Sequence, residues 1–132
     1  MVVVDASVLA NAIADYGMAG DLARARLAAD PELVAPDLVD VETTSVLRRR
    51  WQAGSIDEVT FQRGVETLMS FRLVRVPTRS LLLRAYDLRH NLTPYDACYV
   101  ALAEELTCPL LTIDARLSRA PGVTCAIEVL AS

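Results

Sequence analysis

The chain contains no lysine. All 13 of its basic residues are arginines, set against 17 acids for a net charge of −4. That absence excludes a Gly-Lys-Ser/Thr phosphate loop and any Schiff-base chemistry. It also disfavours aspartyl-phosphate receivers and haloacid-type phosphatases, which set a lysine beside their aspartate. His90 is the lone histidine, which excludes a multi-histidine metal site. Cys98, Cys108 and Cys125 form no Cys-x-x-Cys pair and are odd in number, against both a zinc ribbon and a disulfide framework. A reducing, cytoplasmic setting is expected. No Gly-x-Gly-x-x-Gly occurs, which removes dinucleotide binding. The longest uncharged run, Ala6 to Ala14, is nine residues, far short of the roughly 20 that cross a bilayer. No membrane association is expected, and with Asp5 interrupting the apolar start no secretory signal is expected either.

What is present suits a globular domain. Apolar residues make up 53 % and charged residues 23 % of 132 residues, enough to fill one core, and no repeat or linker divides the chain, so one domain over 1–132 is expected. Strand-like and helix-like segments alternate. Val2–Val4, Leu33–Ala35, Leu73–Val76 and Leu110–Ile113 read as short buried strands, with a last one inside Val123–Val129. Helices are expected over Ala6–Tyr16 and over Met18–Ala29 with Leu22, Ala25 and Ala29 inward. A third runs from an Asp37 cap to about Ala53, and a fourth from a Ser55 cap with Glu58 as its capping-box partner to near Phe71, carrying Val59, Val65, Leu68 and Met69. The last are expected over Thr78–Asn91, from Thr93-Pro94 to Leu106, and as one turn over Ala115–Arg119. The order βααβααβααβ(α)β predicts an α/β fold: a central parallel sheet of four to five strands, flanked by helices in three α/β/α layers.

In such sheets ligands bind beyond the carboxyl ends of the strands, where the strand order reverses. Four acids map to that rim. Asp5 closes the first strand and Asp114 the fourth; Glu42 and Asp96 lie in the first turns of helices that follow strands. Glu42 shares a helical stripe with Leu38 and Val46, and Asp96 with Val100 and Ala103, so both point inward. Helix capping by Asp5 or Asp114, dipole complementation by Asp96 and an arginine pair for Glu42 are the bland alternatives. Converging carboxylates repel one another and raise each other's pKa. With no lysine present and no arginine on these stripes, a hard divalent cation, Mg²⁺ or Mn²⁺, is the simplest partner.

Asp5-Ala-Ser, Asp37-Leu-Val-Asp-Val-Glu42, Thr93-Pro-Tyr-Asp96-Ala and Thr112-Ile-Asp114 together resemble, in order and placement, the PIN-domain ribonucleases. Within these they are most similar to the VapC toxins of bacterial VapBC toxin–antitoxin pairs. The resemblance implies a catalytic and metal-holding quartet of Asp5, Glu42, Asp96 and Asp114, supported by Ser7 and Thr112. At a position where many relatives carry Asn, this chain has Ser45. It implies an Mg²⁺- or Mn²⁺-dependent endoribonuclease leaving 5′-phosphate and 3′-hydroxyl ends. The implied partners are RNA, a VapB-type antitoxin and a second copy of the chain. A degenerate PIN domain that binds metal or RNA without cleaving is the alternative; against it stands the complete quartet. An acidic nuclease needs local positive charge for phosphates. Arg116 is the first candidate for RNA contact, with Arg48 and Arg49, while Arg75, Arg79, Arg84, Arg89 and Arg119 read as a solvated face. Trp51 and Tyr95 are candidate stacking groups whose bland reading is packing; His90 reads as a surface residue.

Overall fold

The computed structural model describes residues 1–130; residues 131 and 132, the last two of the expected 1–132 unit, lie outside the described residues. Five strands form one fully parallel sheet, β1 (Val2–Val4), β2 (Leu33–Pro36), β3 (Val74–Val76), β4 (Leu110–Thr112) and β5 (Ile127–Val129), in the order β3-β2-β1-β4-β5. β1 is central, and its three valines are 0 % exposed, as a strand covered on both faces requires. The chain builds outward from β1 through β2 to β3, then returns to add β4 and β5 on the other side. The strand order therefore reverses between β1 and β4, where Val3 pairs with Leu110 and Val4 with Leu111.

Six helices cover the sheet: α1 (Ala6–Ala14), α2 (Met18–Ala28), α3 (Val39–Gln52), α4 (Glu58–Ser70), α5 (Leu82–Asp87) and α6 (Pro94–Leu106). α1 packs against α2, α3 and α4, whereas α6 packs against α5 and strands β1, β2 and β4. These two groups of helices give the expected three layers. α6 is the most deeply set helix, with Ala97 through Ala103 buried without a break. Thr93 caps it by accepting from the Asp96 amide at 3.2 Å, and Pro94 occupies its first turn. Among the described residues, no helix is long and apolar enough to cross a membrane.

Several helix ends and faces differ from the sequence expectation, each for a local reason. α1 stops at Ala14 rather than Tyr16, because the Asp15 carboxylate accepts from the Gly17 and Gly20 amides at 2.8 and 3.2 Å and turns the chain. Gly20 rides against that turn: a Cβ there would lie 1.7 Å from the Asp15 carbonyl oxygen. This contact sets the face of α2, which buries Gly20, Ala23 and Leu27, leaving Leu22, Ala25 and Ala29 exposed. Asp37 does not cap α3. Its carboxylate instead accepts from the Thr78 amide at 3.0 Å and hydroxyl at 2.5 Å, and Leu38 takes the cap position without a side-chain bond. Asp57, not Ser55, caps α4, accepting from the Thr60 amide at 2.7 Å, while the Ser55 amide is held by the Arg50 carbonyl. α4 packs through Gly64 and Leu68, its glycine close against Leu47, so Val59 and Met69 face outward. The expected Thr78–Asn91 helix is a 3-10 turn over Thr78–Leu81, pinned at Thr78 by Asp37, followed by the short α5.

Candidate functional site

The strand-order reversal brings the carboxyl ends of β1 and β4 side by side, and the site grows from that junction. Asp5 follows β1 and caps α1, its Oδ1 accepting from the Val8 amide at 3.0 Å and the Ser7 hydroxyl at 2.7 Å. Its Oδ2 accepts from the Thr112 hydroxyl, at the end of β4, at 2.5 Å. The same carboxylate thus caps α1 and ties into the junction with β4. Thr112 is fully buried, and its Oγ1 also accepts from the Asp114 amide at 3.0 Å. One hydroxyl therefore ties the ends of β1 and β4 together and fixes the register of two acids. Asp5 is 9 % exposed, and burial pushes its pKa up despite the hydroxyl and amide donors that pull it down.

Glu42 enters from the first turn of α3. Burial raises its pKa; the Tyr99 hydroxyl opposes that, and the charges of Asp96 and Asp5 add to it. The Tyr99 hydroxyl faces this carboxyl without reaching hydrogen-bond geometry: Glu42 Oε1 and the Tyr99 oxygen are both buried and without a partner. Nearly all buried polar atoms in folded proteins are hydrogen-bonded; here the two unpaired oxygens face each other, the Tyr99 hydroxyl against the Glu42 carboxyl. Asp96 projects from the first turn of α6, half-buried, its pKa raised by burial and by the charges of Asp114 and Asp5. Asp5, Glu42 and Asp96 thus feel one another's charge, and none of the three has a salt-bridge partner among the described residues.

Asp114 stands apart. It neighbours Asp96 electrostatically, but Arg116 holds it with two side-chain bonds, Nε to Oδ1 at 3.0 Å and Nη2 to Oδ2 at 2.8 Å, and its pKa is lowered by that contact. The guanidinium that the sequence offered as an RNA contact is therefore already engaged. Among the described residues, no three acids are closed into a ready coordination shell.

Other candidates fall on both sides of this junction. Ser45 is exposed one turn beyond Glu42 and accepts from Arg49 at 3.4 Å. Arg48 and Arg49 are exposed near the end of α3. Trp51 packs on Phe61, with ring centroids 5.8 Å apart, whereas Tyr95 is 61 % exposed beside Asp96. His90 is exposed. Arg75 is bound to Asp40 and to carbonyls ending α4, Arg84 to Glu104, and Arg89 lies over the Tyr86 ring. Tyr99 is the residue that sequence reasoning missed; its position three residues after Asp96 on one helix was the available signal. A cavity of about 800 Å³ lined by Leu27, Leu33, Phe71 and Leu73 lies at the opposite, amino ends of β2 and β3 and contains none of the four acids.

Comparison with known proteins agrees with this geometry. The family model described as PIN domain matches residues 2–123. Ribonuclease VapC9 of Mycobacterium tuberculosis is 39% identical over 130 residues, covering 98% of each chain. Among solved structures, VapC20 of Mycobacterium tuberculosis, described as a sarcin–ricin loop cleaving toxin, superposes with a TM-score of 0.72 at 18% identity, covering 94% of this chain and 97% of the other. VapBC2 from Rickettsia felis, solved with a DNA fragment from its promoter, gives a TM-score of 0.69 at 15% identity over 99% and 100%.

Proposed function

The chain belongs to the PIN-domain family, and from that premise we propose that it is an endoribonuclease toxin that hydrolyses RNA phosphodiesters with the help of Mg²⁺ or Mn²⁺. The observation that carries this reading is the gathering of three partly or fully desolvated acids, Asp5, Glu42 and Asp96, with no salt-bridge partner among the described residues. The donors are all oxygens, and oxygen-only, carboxylate-rich sites suit hard cations. Asp5, Glu42 and Asp96 are the residues assigned to hold the ion, with Asp114 completing the quartet.

When bound, such a cation acidifies water and offsets charge on the scissile phosphate. The chain's own groups do the rest. Ser7 and Thr112 hold the Asp5 carboxylate in one orientation, the kind of support that fixes a ligand before substrate arrives. Tyr99, whose proton is kept on by burial and by Glu42, closes the inner wall beside that carboxyl. Arg116, Arg48 and Arg49 supply positive charge for RNA phosphates on an otherwise acidic chain. The products carry 5′-phosphate and 3′-hydroxyl ends, which needs no histidine pair to activate the 2′-hydroxyl.

The same reading extends to partners. The similarity to VapC9 and VapBC2 supports a cognate VapB-type antitoxin; a homodimer belongs to the same proposal, and three free cysteines suit the reducing cytoplasm. The test is cleavage of total RNA by purified, antitoxin-free protein. Cleavage with Mg²⁺ or Mn²⁺, lost with EDTA and in Asp5→Asn, is expected. Metal-independent cleavage overturns the metal, and no cleavage under any condition favours the non-catalytic alternative.

A further inference from the structure

Of the four acids at the rim, Asp114 alone is paired, and its partner is two residues away. The Arg116 guanidinium grips both Asp114 oxygens side-on, while its own side chain is 84 % exposed and that of Asp114 is 30 % exposed. Both residues belong to the short 3-10 segment after β4. Releasing the grip therefore needs only rotation of one solvent-exposed side chain, with no change in the backbone. The Arg116 amide would continue to hold Asp114 Oδ1 at 3.0 Å. Exposed ion pairs of this kind are weakly held, and a guanidinium fork fits a phosphate as well as it fits a carboxylate.

We propose that Arg116 is a positioning residue that latches Asp114 away from the metal-holding acids and exchanges that carboxylate for an RNA phosphate when substrate arrives. The proposal rests on the metal reading of the site. Its logic is competition for one carboxylate. In RNA-free protein the guanidinium is the cation at Asp114, and its positive charge also reaches Asp96, so it opposes entry of a second cation. Once a phosphate takes the guanidinium, Asp114 and the local negative charge are returned to the ion. Phosphate and metal then favour each other's binding, which is a reciprocal coupling between two sites. Arg116 thus works against metal binding and for RNA binding, an opposition of signs that a merely structural salt bridge does not produce.

Isothermal titration of Mn²⁺ into RNA-free protein, paired with anisotropy of a short labelled RNA of mixed sequence in EDTA, reads both arms. Arg116→Ala should bind Mn²⁺ about two- to fivefold tighter, the range set by exposed ion pairs. The same variant should bind RNA several-fold more weakly, with the slope of log affinity against log salt shallower by about 0.7 to 1. Arg116→Lys keeps the charge but loses the fork, so both its RNA affinity and its Mn²⁺ affinity should fall between those of the parent and Arg116→Ala. Unchanged or weaker Mn²⁺ binding in Arg116→Ala overturns the latch and leaves the metal site standing. Unchanged RNA binding overturns the exchange. Loss of Mn²⁺ binding in Asp5→Asn locates the ion at the acids; a parent protein that binds no Mn²⁺ sinks the metal reading and the latch with it.

Discussion

The two ends of α6 carry acids in opposite circumstances. At its first turn Asp96 sits half-buried among Asp5, Asp114 and Glu42; at its last turn Glu104 receives Arg84 Nε at 2.7 Å, Arg84 Nη2 at 3.1 Å and the Thr124 amide and hydroxyl at 2.8 and 2.7 Å. A helix dipole favours negative charge at the amino end and opposes it at the carboxyl end. Both groups defy it. Burial and neighbouring acids push Asp96 up, whereas Arg84 and Thr124 hold Glu104 down at about 2. The fold pairs Glu104 with a guanidinium and gives Asp96 none among the described residues, and the metal reading proposed above accounts for that difference.

Removing the acids that have no cationic partner sharpens that contrast most. Asp5→Asn or Glu42→Gln should lower RNA cleavage by about a hundredfold or more, since even the groups that orient metal ligands are worth 10- to 100-fold. Thermal melting of the same metal-free variants should be unchanged or raised, because a repelling charge is gone. At the other end the effects invert: Glu104→Gln should cost about 1 kcal/mol in urea unfolding, the loss of charge-assisted hydrogen bonds from Arg84 and Thr124, with cleavage by the folded fraction unchanged. A Glu104→Gln chain as stable as the parent would break the comparison.

The pH dependence of melting separates the two ends by sign. Glu104 has a folded pKa below its ordinary 4.5, so the stability it contributes is present above that value and drains as pH falls toward about 2. Asp5, Glu42 and Asp96 are shifted the other way. What they contribute is full below the ordinary carboxylate range and lost as pH rises through their elevated pKa values. Metal-free protein should therefore be most stable at mildly acidic pH and soften toward neutrality. Added Mg²⁺ should remove that softening, and Glu42→Gln should blunt it. The smallest expected change is at the basic patch: Arg48→Ala and Arg49→Ala should each weaken RNA binding about twofold, an effect vanishing at high salt.

Much of this was readable in the residues. β-branched and leucine-rich triplets located the strands, and the inward stripes of Glu42 and Asp96 singled out two acids that are half-buried in the fold. What escaped the sequence was decided by contacts between distant segments. Asp37 looked like a helix cap but was drawn off by Thr78, 41 residues away. Ser55 looked like the cap of α4, but its amide is held by the Arg50 carbonyl and Asp57 takes the position. The outward faces of α2 and α4 turn on close approaches at Gly20 and Gly64, which hydrophobic periodicity does not register. Arg116 read as a free phosphate contact because nothing in a string of letters shows that its fork closes on Asp114.

The most direct trial of the account is anomalous diffraction from crystals soaked in Mn²⁺. The expected result is an anomalous peak in contact with Asp5 and beside Glu42 and Asp96, absent in Glu42→Gln. Crystals that take up no Mn²⁺ at this rim, or that bind it only elsewhere, would contradict it.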